Sequence, residues 1–118
     1  MPSNQLMRKY NMNDERRAFP RAPGVLDGTW FGSGQRCRIT SLSVKGCYIE
    51  SLTPPEKSVR VRVQLELPQQ GPVSVHGEVA YREPSMGFAI RFLDVTQEDH
   101  EKLAQAVDFL VEPSALLA

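Results

Sequence analysis

Ten residues constrain this chain more than any others. From Ser58 to Leu67, Val59, Val61, Val63, Leu65 and Leu67 alternate with Ser58, Arg60, Arg62, Gln64 and Glu66. A period of two puts every apolar side chain on one face of an extended strand and every polar one on the other. Such a strand has one dry and one wet face, the signature of an antiparallel sheet rather than a parallel one buried on both sides. Shorter segments of the same kind surround it. Val25–Phe31, Gln35–Ser41, Cys47–Glu50, Val73–Arg82 and Gly87–Leu93 all read as strands. Turn-forming residues separate them: Gly32-Ser33-Gly34, Ser43 to Gly46, Thr53 to Lys57, Pro68 to Pro72 and Glu83 to Met86. Six short strands punctuated in this way predict a mainly β fold, a six-stranded antiparallel β-barrel.

The period changes once. Leu103, Val107 and Leu110 recur at helical spacing, with Ala106 and Val111 widening the stripe. Thr96 and Asp99 form a variant capping box, and Glu98 and Asp99 suit a first helical turn. An amphipathic C-terminal helix is therefore expected from about Gln97 to Val111. It should stop before Pro113 and seal one mouth of the barrel. The predicted organisation is a flexible N-terminal arm over 1–14, a folded domain over 15–112 and a C-terminal tail over 113–118. At 118 residues there is material for one core.

Charge excludes several functions. The chain has 14 basic and 14 acidic residues, for zero net charge. The basic residues crowd the start, where Arg8, Lys9, Arg16, Arg17 and Arg21 face only Asp14 and Glu15 in the first 24 residues. The remainder is mildly acidic, so no broad cationic face for DNA or RNA is expected. No apolar run approaches the roughly 20 residues that span a bilayer, so membrane insertion is not expected. No signal-peptide pattern opens the chain, and a cytoplasmic location is expected. Cys37 and Cys47 are then expected to be reduced. Too few His and Cys residues share a neighbourhood for a metal site. No acid/base pair or nucleophile constellation points to an enzyme.

Two clusters carry chemistry. In Arg16-Arg17-Ala18-Phe19-Pro20-Arg21, Pro20 argues against a helix. The guanidinium groups can instead approach one anion from several directions. Arginine's planar fork grips phosphate bidentately, pairs with guanine O6 and N7, and stacks on bases. The alternative is a solvated basic tail. The second cluster, Ile39-Thr40-Ser41-Leu42-Ser43-Val44-Lys45-Gly46-Cys47, offers hydroxyls and backbone N–H groups at a turn, with a glycine free to take positive φ. Its alternative is a turn that satisfies only itself.

In this order and spacing, the clusters resemble the PilZ domain family, whose pattern is Arg-x-x-x-Arg followed by Asp/Asn-x-Ser-x-x-Gly. Arg17 and Arg21 match the arginines, and Ser43 and Gly46 match the Ser and Gly. Ser41 stands at the Asp/Asn position, a departure. Gly77–Tyr81 and Met86–Leu93 look like the family's last two strands. The resemblance, from Glu15 to about Leu110, implies a stand-alone bacterial receptor for cyclic di-GMP, a second messenger linked to motility and biofilm. It implies no catalysis and no cofactor. It also implies that the arginine arm closes over the ligand, with Arg17 and Arg21 as clamps, Ser41 at a guanine edge, Ser43 as a polar contact and Gly46 letting the backbone pass close. Arg16 sits where related sequences carry an extra arginine associated with an intercalated ligand dimer. Output would pass to an unidentified effector protein. The alternative is a nucleotide-independent adaptor in type IV pilus or motility machinery. Two further candidates for ligand contact are Trp30, which either stacks on a base or packs on the barrel, and Arg82, a ligand cation or an exposed strand-end residue.

Overall fold

The computed structural model describes residues 22–32 and 34–117. The arm expected over 1–14 and the cluster Arg16, Arg17 and Arg21 lie outside the described residues. Six strands form: β1 (Ala22–Trp30), β2 (Gln35–Leu42), β3 (Gly46–Glu50), β4 (Arg60–Leu67), β5 (Gly71–Glu83) and β6 (Gly87–Leu93). One helix, α1 (Gln97–Leu117), follows. The strands close into an antiparallel barrel in the order β1-β2-β3-β6-β5-β4, with β4 pairing back onto β1. The expected fold class is the observed one.

The period-two signal in β4 explains the core. Val61, Val63, Leu65 and Leu67 are all buried, while Arg60, Arg62 and Glu66 face solvent. Their inward faces meet Ile39, Ile49, Phe88 and Ile90 in one apolar cluster. Each such side chain contributes roughly 1.5–3 kcal/mol by leaving water. Trp30 joins from the end of β1, its ring centroid 5.1 Å from that of Phe88.

The helix caps as expected, with the Asp99 N–H donating to Thr96 Oγ1 at 3.1 Å. It packs on β1 and β4 and adds Leu103, Ala106 and Val107 to the barrel core. Gln70, in the β4–β5 turn, donates from Nε2 to Gln105 on the helix. α1 therefore covers the barrel on the side of that turn.

Three expectations are corrected. The helix does not stop before Pro113 but continues to Leu117, taking in most of the expected tail. A proline deletes one N–H of the helical ladder and crowds one turn, and the ladder can resume beyond it. Val59 is not an inward strand residue. It is 41% exposed and precedes β4, because Ser58 adopts φ 74° and turns the chain there. β1 starts at Ala22 rather than Val25 and includes Pro23. β4 pairs with β1 only at Gly28, Thr29 and Trp30, so the first half of β1 has an edge on that side, where proline is tolerated.

Register breaks position the site. β1 gains a residue between Pro23 and Leu26, β2 between Ile39 and Ser41, and β5 between Val79 and Tyr81. These bulges face one another across the sheet, forming one line over five strands. A bulge bends its strand and re-aims the side chains beyond it. One rung inside this line, Ile39–Ile49–Phe88, and one on its other side, Leu42–Cys47–Ile90–Val79, are buried. Between them runs an outward rung that joins Ser41, Tyr48, Ala89 and Tyr81.

Candidate functional site

The turn between β2 and β3 is built around Ser43. Its Oγ accepts the N–H groups of Lys45 at 3.1 Å and Gly46 at 3.2 Å, and lies 3.4 Å from the Gly46 carbonyl. Its own N–H donates to that carbonyl at 2.9 Å. Ser43 is 4% exposed, the only polar residue in the buried set among the described residues. Every hydrogen-bonding valence of the hydroxyl is used inside the turn, so Ser43 holds the loop in shape. Ser43→Ala is expected to leave two N–H groups without their acceptor at a buried position. A loss of about 1–3 kcal/mol is anticipated, read as a lower urea midpoint.

The glycine at 46 answers a different need from the one its turn position suggests. It is not among the positive-φ residues, which for glycine are Gly34 and Gly71. A Cβ at Gly46 would instead land on the Ile90 carbonyl oxygen of β6. The close backbone approach is made by the neighbouring strand. Gly46 pairs with Arg91, whose guanidinium bonds Glu78 at 3.0 Å on the outer face.

Ser41 lies two residues before Ser43, half-buried, opposite Tyr48 on β3 and Pro23 on β1. The bulge beside it turns it outward. Ala22, the residue after Arg21, pairs with Leu42. The first described residues, Ala22 and Pro23, therefore lie beside Leu42 and Ser41, next to the Ser43 turn. Ser41, Ser43 and Gly46 come together at one end of β2, and the positions of Arg16, Arg17 and Arg21 fall outside the described residues.

Trp30 and Arg82 are not part of this group. Trp30 pairs with Gln35 and Val63, next to the β1–β2 turn at the other end of β2, and packs on Phe88. Arg82 pairs with Phe88. The bulge at Ala80 brings Arg82 onto the inner rung, where its Nε is buried without a hydrogen-bond partner and Nη1 reaches Glu56 at 4.0 Å.

Sequence reasoning passed over Tyr48. Its hydroxyl donates to Glu83 across two strands. Burial, followed by the bond to and charge of Glu83, pushes its pKa up to about 12. The phenol therefore stays a neutral donor at physiological pH. Tyr48 sits two residues from Gly46, a signal that was visible in the chain. Its adjacency to Ser41 was not.

A family model of the PilZ domain matches residues 15–109. The chain belongs to the PilZ domain family. Among solved structures, this PilZ chain is similar to the PilZ domain with c-di-GMP of YcgR from Escherichia coli, with 18% identity and a TM-score of 0.65, covering 85% of this chain and 94% of that one. It is also similar to the Bacillus subtilis inhibitor of motility (MotI/DgrA), with 16% identity and a TM-score of 0.71 over 98% of this chain and 56% of that one. Longer YcgR in complex with c-di-GMP matches at 20% identity and a TM-score of 0.65, over 85% of this chain and 47% of that one. The PilZ chain thus spans about half of the two longer proteins. At these identities the likeness establishes the shared fold. No curated protein matches the sequence significantly. Among the described residues, no group of three or more His, Cys, Asp or Glu could hold a metal ion, and no helix is long and apolar enough to cross a membrane.

Proposed function

We propose that this PilZ chain is a cytoplasmic receptor for cyclic di-GMP that passes its signal to a partner protein. The dinucleotide is held between the segment carrying Arg16, Arg17 and Arg21 and the outer face at Ser41, the Ser43 turn and Gly46. One observation carries the reading: Ala22 pairs with Leu42 and Pro23 with Ser41. That register supports the reading, because Ala22 directly follows Arg21 in the chain and lies beside the turn whose residues match the other half of the family pattern. The arginines bind phosphates and guanine edges through charged, bidentate hydrogen bonds. Arg16 supports a stoichiometry of two nucleotides per site. Ser43 contributes by fixing the turn.

A second reading, a nucleotide-independent adaptor in pilus or motility machinery, is favoured by two features of the turn. Ser41 is neutral where the family has Asp or Asn, and the Ser43 hydroxyl is already engaged. Calorimetric titration with cyclic di-GMP and cyclic di-AMP separates the two. Saturable binding of the guanine dinucleotide, far tighter than of the adenine one, is expected, because Arg recognises O6 and N7 where adenine presents an N6 donor. No heat with either ligand would leave the adaptor. Equal affinities would reduce the site to a phosphate trap.

A further inference from the structure

We propose that the end of the barrel formed by the β1–β2 turn, the 51–59 loop and the β5–β6 turn is a docking face for an acidic segment of the effector protein, one that carries large apolar side chains among its carboxylates. The proposal rests on the reading that a partner protein receives the output, which both functional readings share. It puts that partner at the end of the barrel away from the Ser43 turn.

The topology gathers the face. β6 and β5 stand between β3 and β4 in the barrel, so residues 51–59 must cross one end to join them. The β1–β2 and β5–β6 turns lie at that same end. α1 lies toward the other, beside the β4–β5 turn. Among the described residues six large apolar side chains are exposed, and four of them, Phe31, Leu52, Val59 and Met86, belong to these three connections. Leu52 is 80% exposed and Met86 63%. Single exposed apolar residues are ordinary, whereas a group of them at one end marks an interaction surface.

Backbone hydrogen bonds hold the display in place. The Ser51 N–H donates to the Met86 carbonyl at 3.0 Å, which sets Leu52 beside the β5–β6 turn. At the far end of the loop the Ser58 N–H donates to the Val79 carbonyl at 2.8 Å, and the Val59 carbonyl accepts the Val79 N–H at 2.9 Å. The Phe31 N–H donates to the Arg62 carbonyl at 3.1 Å, and the Arg62 guanidinium lies 4.4 Å from the centroid of the Phe31 ring. A face ordered in advance loses less entropy on binding.

Charge chooses the occupant. The carboxylates at this end are engaged: Glu50 with Arg38 at 3.8 Å, Glu56 with Arg82 at 4.0 Å, and Glu83 with the Tyr48 hydroxyl. Glu78, opposite Arg60 in the register, is bonded to Arg91 at 3.0 Å instead. Among the described residues, Lys57, Arg60 and Arg62 have no carboxylate partner. Lys57 and Arg60 flank Val59 along the chain, and Arg62 flanks Phe31 across the β1–β4 pair. Stacked on a ring, the Arg62 fork keeps its edges open to a carboxylate. The complement of such a face is a segment with carboxylates spaced among large apolar side chains. A nucleic acid would satisfy the cations and leave Leu52 and Met86 in water.

Selection of a random peptide library on the full chain, without and with cyclic di-GMP, tests the face. Enriched peptides are expected to combine Asp or Glu with large apolar residues, and their affinity should fall as salt rises. Binding is expected under both conditions, because the two surfaces do not overlap. A selected peptide should bind Arg62→Glu at least ~10-fold more weakly, since like charges then meet. Lys102→Glu, the same change of charge on α1, should bind as the wild type does. Leu52→Ser, at an exposed loop position, should also lose about tenfold, as an apolar anchor does when truncated. Selection of no acidic peptide, or of peptides indifferent to both Arg62→Glu and Leu52→Ser, overturns the face, and cyclic di-GMP titration of the same protein shows whether the receptor reading survives it. Peptide binding by a chain that takes no nucleotide keeps the face and removes the receptor reading. Binding of homopolymeric RNA that Arg62→Glu abolishes, or a wild-type dimer that Leu52→Ser dissociates, would give the face to a nucleic acid or to a second copy and overturn the proposal.

Discussion

Replacing Arg17 and Arg21 together with alanine is expected to reduce cyclic di-GMP affinity at least ~100-fold. In the proposed site each guanidinium is expected to make charge-assisted hydrogen bonds, and losing one such partner costs about 1.5–3 kcal/mol. Two losses of about 1.5 kcal/mol amount to about two orders of magnitude. The single variants should each lose about tenfold or more. Coupling between the two is expected, since both act on one ligand. Titration of the two singles and the double at one salt concentration measures it, because phosphate contacts weaken as ionic strength rises. An unfolding midpoint taken alongside separates loss of the site from loss of the fold. Unchanged affinity in the double variant would remove the arginine segment from the site, and with it the receptor reading.

Gly46→Val is expected to be the most damaging single change in the β2–β3 region. Its Cβ would occupy the position of the Ile90 carbonyl oxygen, a backbone atom that cannot rotate away. β3 must then part from β6, opening the pairs Gly46–Arg91 and Cys47–Ile90. Overpacking a filled interior costs about 1–3 kcal/mol. Backbone groups stripped of their partners add a comparable amount each. A loss of about 3 kcal/mol or more is a large share of the roughly 5–15 kcal/mol that holds a domain together. The melting temperature should fall by on the order of 10 °C. Cyclic di-GMP is expected to restore little of it, since the turn of the proposed site is the part displaced. A Gly46→Val protein that melts with the wild type would mean that β3 and β6 do not approach as closely as described.

These two experiments separate roles that the family pattern joins in one line of text. Arg17 and Arg21 are expected to act on ligand. Ser43 and Gly46 are explained by the barrel itself, through the turn hydrogen bonds and the Ile90 carbonyl. Ser41, between them, faces outward next to an aromatic pair.

The sequence by itself determined that six strands form and which face of β4 is buried. Val61, Val63, Leu65 and Leu67 alternate with charged and polar residues, and that local pattern suffices to choose an extended, half-buried conformation. The capping pair Thr96 and Asp99 likewise marks the start of the helix through groups three residues apart. The motif residues and their order were legible for the same reason. What depends on contacts between distant segments was decided only in three dimensions. The bulges at Thr40 and Ala80 each shift a strand by one residue, and no period within a single strand announces such a shift. They move Ser41 and Tyr81 outward, bring Arg82 in toward Phe88, and align Tyr48 with a residue 33 positions away. Trp30 and Ser41 belong to strands that pair, yet antiparallel direction carries them to opposite ends of β2. The passage of the helix through Pro113 is set by its ladder as a whole, against the local preference of one residue. Side-chain period is a property of a few neighbouring residues, whereas register and bulge placement depend on closing six strands at once, and closure of this barrel placed the candidate site.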